Sequence, residues 1–156
     1  MGIISPKKPN GVSQVLLTLL LIILSPIVII AVSLYFLWGA LLYLSIWSMQ
    51  RKQFVVFVYS DSPTWKAYIE TEILPYIKDR AVILNWSERR HWRSSLAVLA
   101  FRHFGGHRNF NPIAIVFRPF HFGKAYRFFE AFKEFKRGNF ENVENLKRKL
   151  FEALGI

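Results

Sequence analysis

Apolar and polar residues fall into two contrasting regimes along this chain. From Val15 to Ser48 the sequence reads VLLTLLLIILSPIVIIAVSLYFLWGALLYLSIWS, 34 residues without a charged side chain. A helix needs about 20 such residues to cross a hydrocarbon layer of about 30 Å. As one helix the run is about 51 Å long, too long for an upright crossing. It also exceeds the apolar core of about 7 to 15 residues in a signal peptide. The pattern predicts a membrane anchor over residues 15–48 behind a tail of residues 1–14. Three arrangements fit: a tilted helix, a span continued by an interfacial piece, or a hairpin. Pro26 has no N–H and crowds the preceding turn, which predicts a kink there; Pro26 to Ser48 is long enough to cross alone. Tyr35, Phe36, Trp38, Tyr43 and Trp47 gather in the C-terminal half, where such rings suit a head-group belt or the surface of another helix.

Beyond Arg51 the periods shorten. QFVVFVYS is rich in β-branched and aromatic residues and predicts a buried strand. Asp61, Ser62 and Pro63 open a predicted helix to about Ile77, with Trp65, Tyr68, Ile69 and Ile73 on one face. Ala81 to Trp86 (AVILNW) predicts a second strand, followed by an arginine-rich turn, SERRHWR. Ser94 to Phe104 predicts a helix closed by Gly105 and Gly106, and Pro112 to Phe117 a third strand. FGKAYRFFEAFKEFKRG has helical spacing where the order of elements suits another strand. It predicts a helix over 124–136 with Tyr126, Phe128, Phe129, Phe132 and Phe135 nearly all round, covered by core or by a partner. Val143 to Leu154 is an amphipathic helix with Leu146, Leu150, Phe151 and Leu154 apolar. Alternating strands and helices predict an α/β sandwich over residues 53–156.

Charge adds a preference for anionic surroundings. The chain carries a formal +11, and from Arg51 onward 19 lysines and arginines face 10 acidic residues. Between Glu88 and Glu130 eight cations and no acid occur: Arg89, Arg90, Arg93, Arg102, Arg108, Arg118, Lys124 and Arg127. Interleaved with rings such as Trp92, Phe101 and Phe110, they suit an anionic lipid surface, a protein partner or single-stranded nucleic acid. Proximity to the anchor raises the effective concentration of lipid and favours the membrane over nucleic acid. His103 and His107 have the i, i+4 spacing of a metal-binding pair, yet Gly105-Gly106 separates them and no acid is near. No metal or other cofactor is expected. Serine-hydrolase, P-loop and dinucleotide signatures are missing from the sequence.

FVVFVYSDSPTWKAYIETEILPYI resembles the first strand, active-site turn and long helix of a thioredoxin-like domain. AVILNW resembles the next central strand. Asn111-Pro112 before IAIVF is similar to that family's cis-proline, and VENLKRKLFEAL to its terminal helix. The resemblance spans about two thirds of the chain, Phe54 to Gly155. Where the family carries two cysteines separated by two residues, this chain has Ser62, Pro63, Thr64 and Trp65, and it has no cysteine anywhere. Disulfide exchange proceeds by thiolate attack, so the resemblance implies a fold kept for binding or scaffolding. The expected architecture is an N-terminal transmembrane helix, kinked or hairpin-like, followed by a thioredoxin-like α/β sandwich. The expected role is a non-catalytic accessory or assembly subunit of a larger membrane complex, with the lipid bilayer and membrane-protein subunits as partners. A membrane-bound enzyme or phosphate-binding protein using the arginine-rich turn is the alternative, and a nucleic-acid tether is less favoured. Lys7 and Lys8 precede the anchor, but the larger basic excess follows it, which favours a cytoplasmic domain in the cytoplasmic membrane. Protease added to inverted vesicles is therefore expected to digest the domain beyond Arg51; protection there would reverse the orientation.

Overall fold

Helix formation through the long apolar run is complete in the computed structural model, which describes residues 11–49, 54–106, 111–118 and 121–156. α1 (Gly11–Met49) is one helix of 39 residues with Pro26 inside it. Pro26 has no N–H to offer the Ile22 carbonyl one turn earlier, and Ser25 Oγ donates to that carbonyl instead, at 2.9 Å. Thr18 Oγ1 bonds the Gln14 carbonyl in the same way at 2.9 Å. In apolar surroundings such internal pairing is what lets hydroxyl and proline residues stay helical. No turn interrupts the run, so the hairpin among the expected arrangements does not form.

Two compact units divide the chain, Met1–Gly39 and Ala40–Ile156. In the first, the large apolar side chains from Val15 to Trp38 stand between 42% and 69% exposed. Nothing within the unit covers them. The second unit begins earlier than residue 53, where the sequence pattern starts it, because the end of α1 belongs to its core. Leu42 is 4% and Ile46 2% exposed. Ile46 packs with Val56, Val58, Ile113 and Ile115, and Tyr43 lies against the same group.

That group is one of two layers on a mixed four-stranded sheet of order β2-β1-β3-β4. β1 (Phe54–Tyr59) is parallel to β2 (Ala81–Asn85), pairing Val55 with Ala81 and Tyr59 with Asn85. β3 (Ile113–Arg118) runs antiparallel to β1, pairing Val58 with Ile113 and Phe54 with Phe117. β4 (His121–Arg127) runs antiparallel to β3. Val55 through Val58 are fully buried, as a central strand covered on both faces should be. Val55, Phe57 and Tyr59 point into one layer, with Ile69, Ile73, Ile77, Phe132 and Leu150. Val56 and Val58 point into the other, shared by the end of α1 and by α4 (Leu96–Phe104). Ser95 Oγ caps α4 by accepting from Val98 N.

Two predicted elements are built differently. The helix expected from Asp61 to Ile77 is a turn followed by α2 (Lys66–Glu72) and α3 (Leu74–Ile77). Pro75 cannot donate to the Thr71 carbonyl, and the ladder breaks at Ile73. The aromatic helix expected over 124–136 is strand β4 followed by α5 (Phe129–Phe135). Pairing with β3 overrides the helical spacing, aided by Gly123, where a Cβ would sit 3.0 Å from the Phe117 ring. The rings of this segment are not spare surface. Phe128 and Phe132 are fully buried, and Trp65 and Tyr68 close on Phe132 at 5.9 and 5.6 Å between centroids. The remaining elements are a 3-10 helix (Trp86–His91) and α6 (Glu141–Leu154).

Because Ile46 is core and Ile30 is not, equivalent truncations in the same apolar helix separate. Ile46→Ala is expected to destabilise the domain by about 2 to 5 kcal/mol. Ile30→Ala should leave it within about 0.5 kcal/mol, read by chemical denaturation in detergent micelles.

Candidate functional site

The turn after β1 is built by local hydrogen bonds. The Ser62 carbonyl accepts from Lys66 N at 3.0 Å and from Trp65 N at 3.3 Å, and Ser62 Oγ accepts from Thr64 N at 3.4 Å. The amides of Thr64, Trp65 and Lys66 are therefore engaged by Ser62 itself. Asp61 ties this turn to the one after β2. Its carboxylate accepts from Lys66 Nζ at 2.7 Å and Asn85 Nδ2 at 2.9 Å, and its N–H donates to Ser87 Oγ at 3.1 Å. The Lys66 bond, followed by that of Asn85, lowers the Asp61 pKa, and Asp61 raises that of Lys66. Pro63 is exposed, whereas Trp65 turns inward against Phe129 and Phe132.

Pro112 lies at the same end of the sheet as this turn, one residue before Ile113, which pairs with Val58. The Asn111–Pro112 peptide bond is cis, Pro112 is buried, and its carbonyl accepts from Phe128 N at 2.9 Å. Trp65 Nε1 and Asn111 Oδ1 are buried with no hydrogen-bond partner among the described residues. Neither Ser62 nor Thr64 is hydrogen-bonded to a histidine or carboxylate among those residues.

Chain order and strand register place six of the eight cations at the two ends of the sheet. Arg89, Arg90 and Arg93 are exposed beyond the C-terminal end of β2, and Arg127 pairs with Ile113 at that same end. Arg118 and Lys124 lie toward the opposite end, where β1 begins. Arg102 is exposed on α4; Arg108, like His107, lies outside the described residues. Three of these arginines have structural contacts. The Arg89 guanidinium sits 4.9 Å from the Trp86 ring centroid. Arg127 Nη2 reaches the Gly105 carbonyl at 3.5 Å, and Arg118 Nη2 the Glu152 carbonyl at 3.4 Å. Cations at helix C-termini oppose the negative end of the dipole. The His103 and Phe104 rings meet edge to face, with centroids 4.7 Å apart.

Comparison with protein-family models, with curated proteins and with solved structures finds no match.

Two constellations escape a reading of the sequence. One is the docking of Leu42, Tyr43 and Ile46, invisible because every neighbour in the run is equally apolar. The other joins α2 to α6 across 76 residues: Tyr68 Oη donates to Glu144, while Lys147 Nζ bonds Glu144 at 2.8 Å and Glu72 at 3.3 Å. Burial and the Glu144 bond push the Tyr68 pKa up to about 12. Burial opposes the charges of Glu144 and Lys147, but their mutual bond and Tyr68 outweigh it, lowering the first pKa and raising the second.

These shifts give stability a sign at each extreme. The depressed Glu144 contributes above its ordinary value of 4.5, and its contribution is lost as pH falls through the folded value. The raised Tyr68 contributes below its ordinary 10.0, and is lost as pH rises toward about 12. Denaturation midpoints of Tyr68→Phe are expected to fall less steeply than those of the unmodified protein between these two values. Equal slopes would show that the clamp does not titrate with folding.

Proposed function

We propose that this chain is a membrane-anchored, non-catalytic subunit that assembles with other membrane proteins and holds a thioredoxin-like domain at the cytoplasmic surface. The observation that carries the reading is the entry of α1 into the domain. Ala40–Met49 is the last part of an apolar helix and at the same time part of the domain, to which it gives Leu42 and Ile46 as buried residues. Catalysts or nucleic-acid binders that sample mobile partners benefit from a flexible linker, which sets reach and effective concentration. Here the helix supplies core residues in place of a linker, an arrangement suited to holding a domain against a fixed neighbour.

The helix from Gln14 to Ile46 is long and apolar enough to cross a membrane. Its outward side chains between Val15 and Trp38 need cover from lipid or neighbouring helices. Sheet order β2-β1-β3-β4, with a parallel pair first and an antiparallel pair after, supports the thioredoxin-like reading. Ser62 and Trp65 at the positions of the family's cysteines support a binding use of that fold.

Extraction in a mild detergent followed by native mass measurement tests this role. A species heavier than the 18.3 kDa chain plus its bound detergent, with partner subunits identifiable in it, is expected. A solitary monomer overturns the proposal.

A further inference from the structure

The end of the sheet where β1 begins joins the docked part of α1 to exposed apolar and basic side chains. Tyr43 Oη donates to the carbonyl of Arg118, the last residue of β3, so α1 is fastened to this end one helical turn beyond Ala40, where the domain's share of the helix starts. Leu41 and Leu44 remain exposed on the outside of the docked turns. Tyr76 and Ile156, both exposed, add apolar surface near the same end, from α3 and the residues after α6.

Cations occupy the same end of the sheet. Arg80 precedes β2 and its Nη1 bonds the Leu154 carbonyl at 2.9 Å; Arg118 bonds the Glu152 carbonyl. Together they cover the C-terminal carbonyls of α6, which present partial negative charge. Lys78, two residues before Arg80, and Lys124, which pairs with Val116 near the far edge, are exposed and form no ion pair among the described residues. The acids at this end are Asp79 and Glu152, the latter 3.9 Å from Arg148. The surface therefore joins exposed leucine and tyrosine with excess positive charge, the composition that suits a lipid head-group layer.

We infer that the domain meets anionic lipid head groups with this end of its sheet, through Lys78 and Lys124, and that the Arg89–Arg93 turn at the other end faces away from the bilayer. The inference rests on the membrane reading of α1 and adds to it which surface touches lipid. β1 spans its six residues over about 20 Å, whereas one head-group layer is about 5 to 8 Å thick. The two ends are thus separable by a probe of depth.

The chain has no cysteine, so single-cysteine variants of the full protein label at one site only. Tyr76→Cys, Ile156→Cys, Arg90→Cys, Arg102→Cys and, inside the helix, Val28→Cys are each labelled with an environment-sensitive fluorophore, so that Lys78 and Lys124 stay in place. They are reconstituted in phosphatidylcholine vesicles with and without phosphatidylglycerol. With a head-group-attached quencher, labels at 76 and 156 are expected to be quenched about twofold more than that at 90, and more strongly when phosphatidylglycerol is present. Stronger quenching at 90, or at 102 on α4, overturns the assignment of this end. Quenching indifferent to phosphatidylglycerol overturns the anionic-lipid contact. An acyl-chain quencher reports separately on Val28→Cys: its failure to quench there removes the membrane reading, and this inference with it.

Discussion

Burial of Ile46 against Val56, Val58 and Ile115 is the contact on which the arrangement depends. A helix whose other large side chains face outward needs apolar surroundings along its length, and those surroundings change identity within α1. Up to Trp38 they lie outside the chain; at Tyr43 and Ile46 the protein's own sheet supplies them. This handover explains why an apolar run too long for an upright crossing can exist in one unbroken helix. Its excess length is used as core.

β1 makes the handover workable. It is central in the sheet and buried on both faces, so its odd and even residues serve separate layers. Val55 and Phe57 join α2, α3, α5 and α6 on one side, and Val56 and Val58 receive α1 and α4 on the other. Polar ties then hold the layers in register: Tyr43 to the end of β3, Arg80 and Arg118 to the end of α6, and the Tyr68–Glu144–Lys147 group between α2 and α6. Each connects elements far apart in sequence, and each involves a side chain whose apolar stem or ring is itself packed or half-buried. The cations most conspicuous in the sequence consequently divide between structural caps and open charge. Arg118 and Arg127 face helix carbonyls, whereas Arg90 and Arg93 are exposed, as is Lys124, whose Nζ lies 5.2 Å from the Tyr126 ring centroid. A run of basic residues in a strand-rich segment is separated by strand direction, because β3 and β4 carry neighbours in sequence to opposite ends of the sheet.

Much of this architecture is legible without coordinates. Strands at QFVVFVYS, AVILNW and PIAIVF announce themselves by β-branched runs, α4 by the Gly105-Gly106 stop, and α6 by its apolar stripe, because these signals are local. Segment 121–135 misleads: the spacing of Tyr126, Phe128, Phe129, Phe132 and Phe135 suits a helix, and pairing of Ile113–Val116 with Lys124–Arg127 outweighs it for the first part. Pro75 divides α2 from α3 by a rule visible in the sequence, yet the regular face of Ile69, Ile73 and Ile77 masks the break. The inward turn of Trp65 and the closure of amides on Ser62 depend on three-dimensional neighbours that spacing does not specify.

By itself the sequence determined that a long uncharged helix needs apolar cover, that thiol chemistry is absent, and that alternating strands and helices follow a basic boundary. Those properties depend on residue type and short-range order. Only the tertiary structure decided where outside cover gives way to the domain's core, which cations cap helices, and which end of the sheet bears Tyr43 and Lys124. An apolar side chain is equally stable against lipid or against a sheet, so its partner is set by geometry, and geometry appears only when distant strands are brought into register.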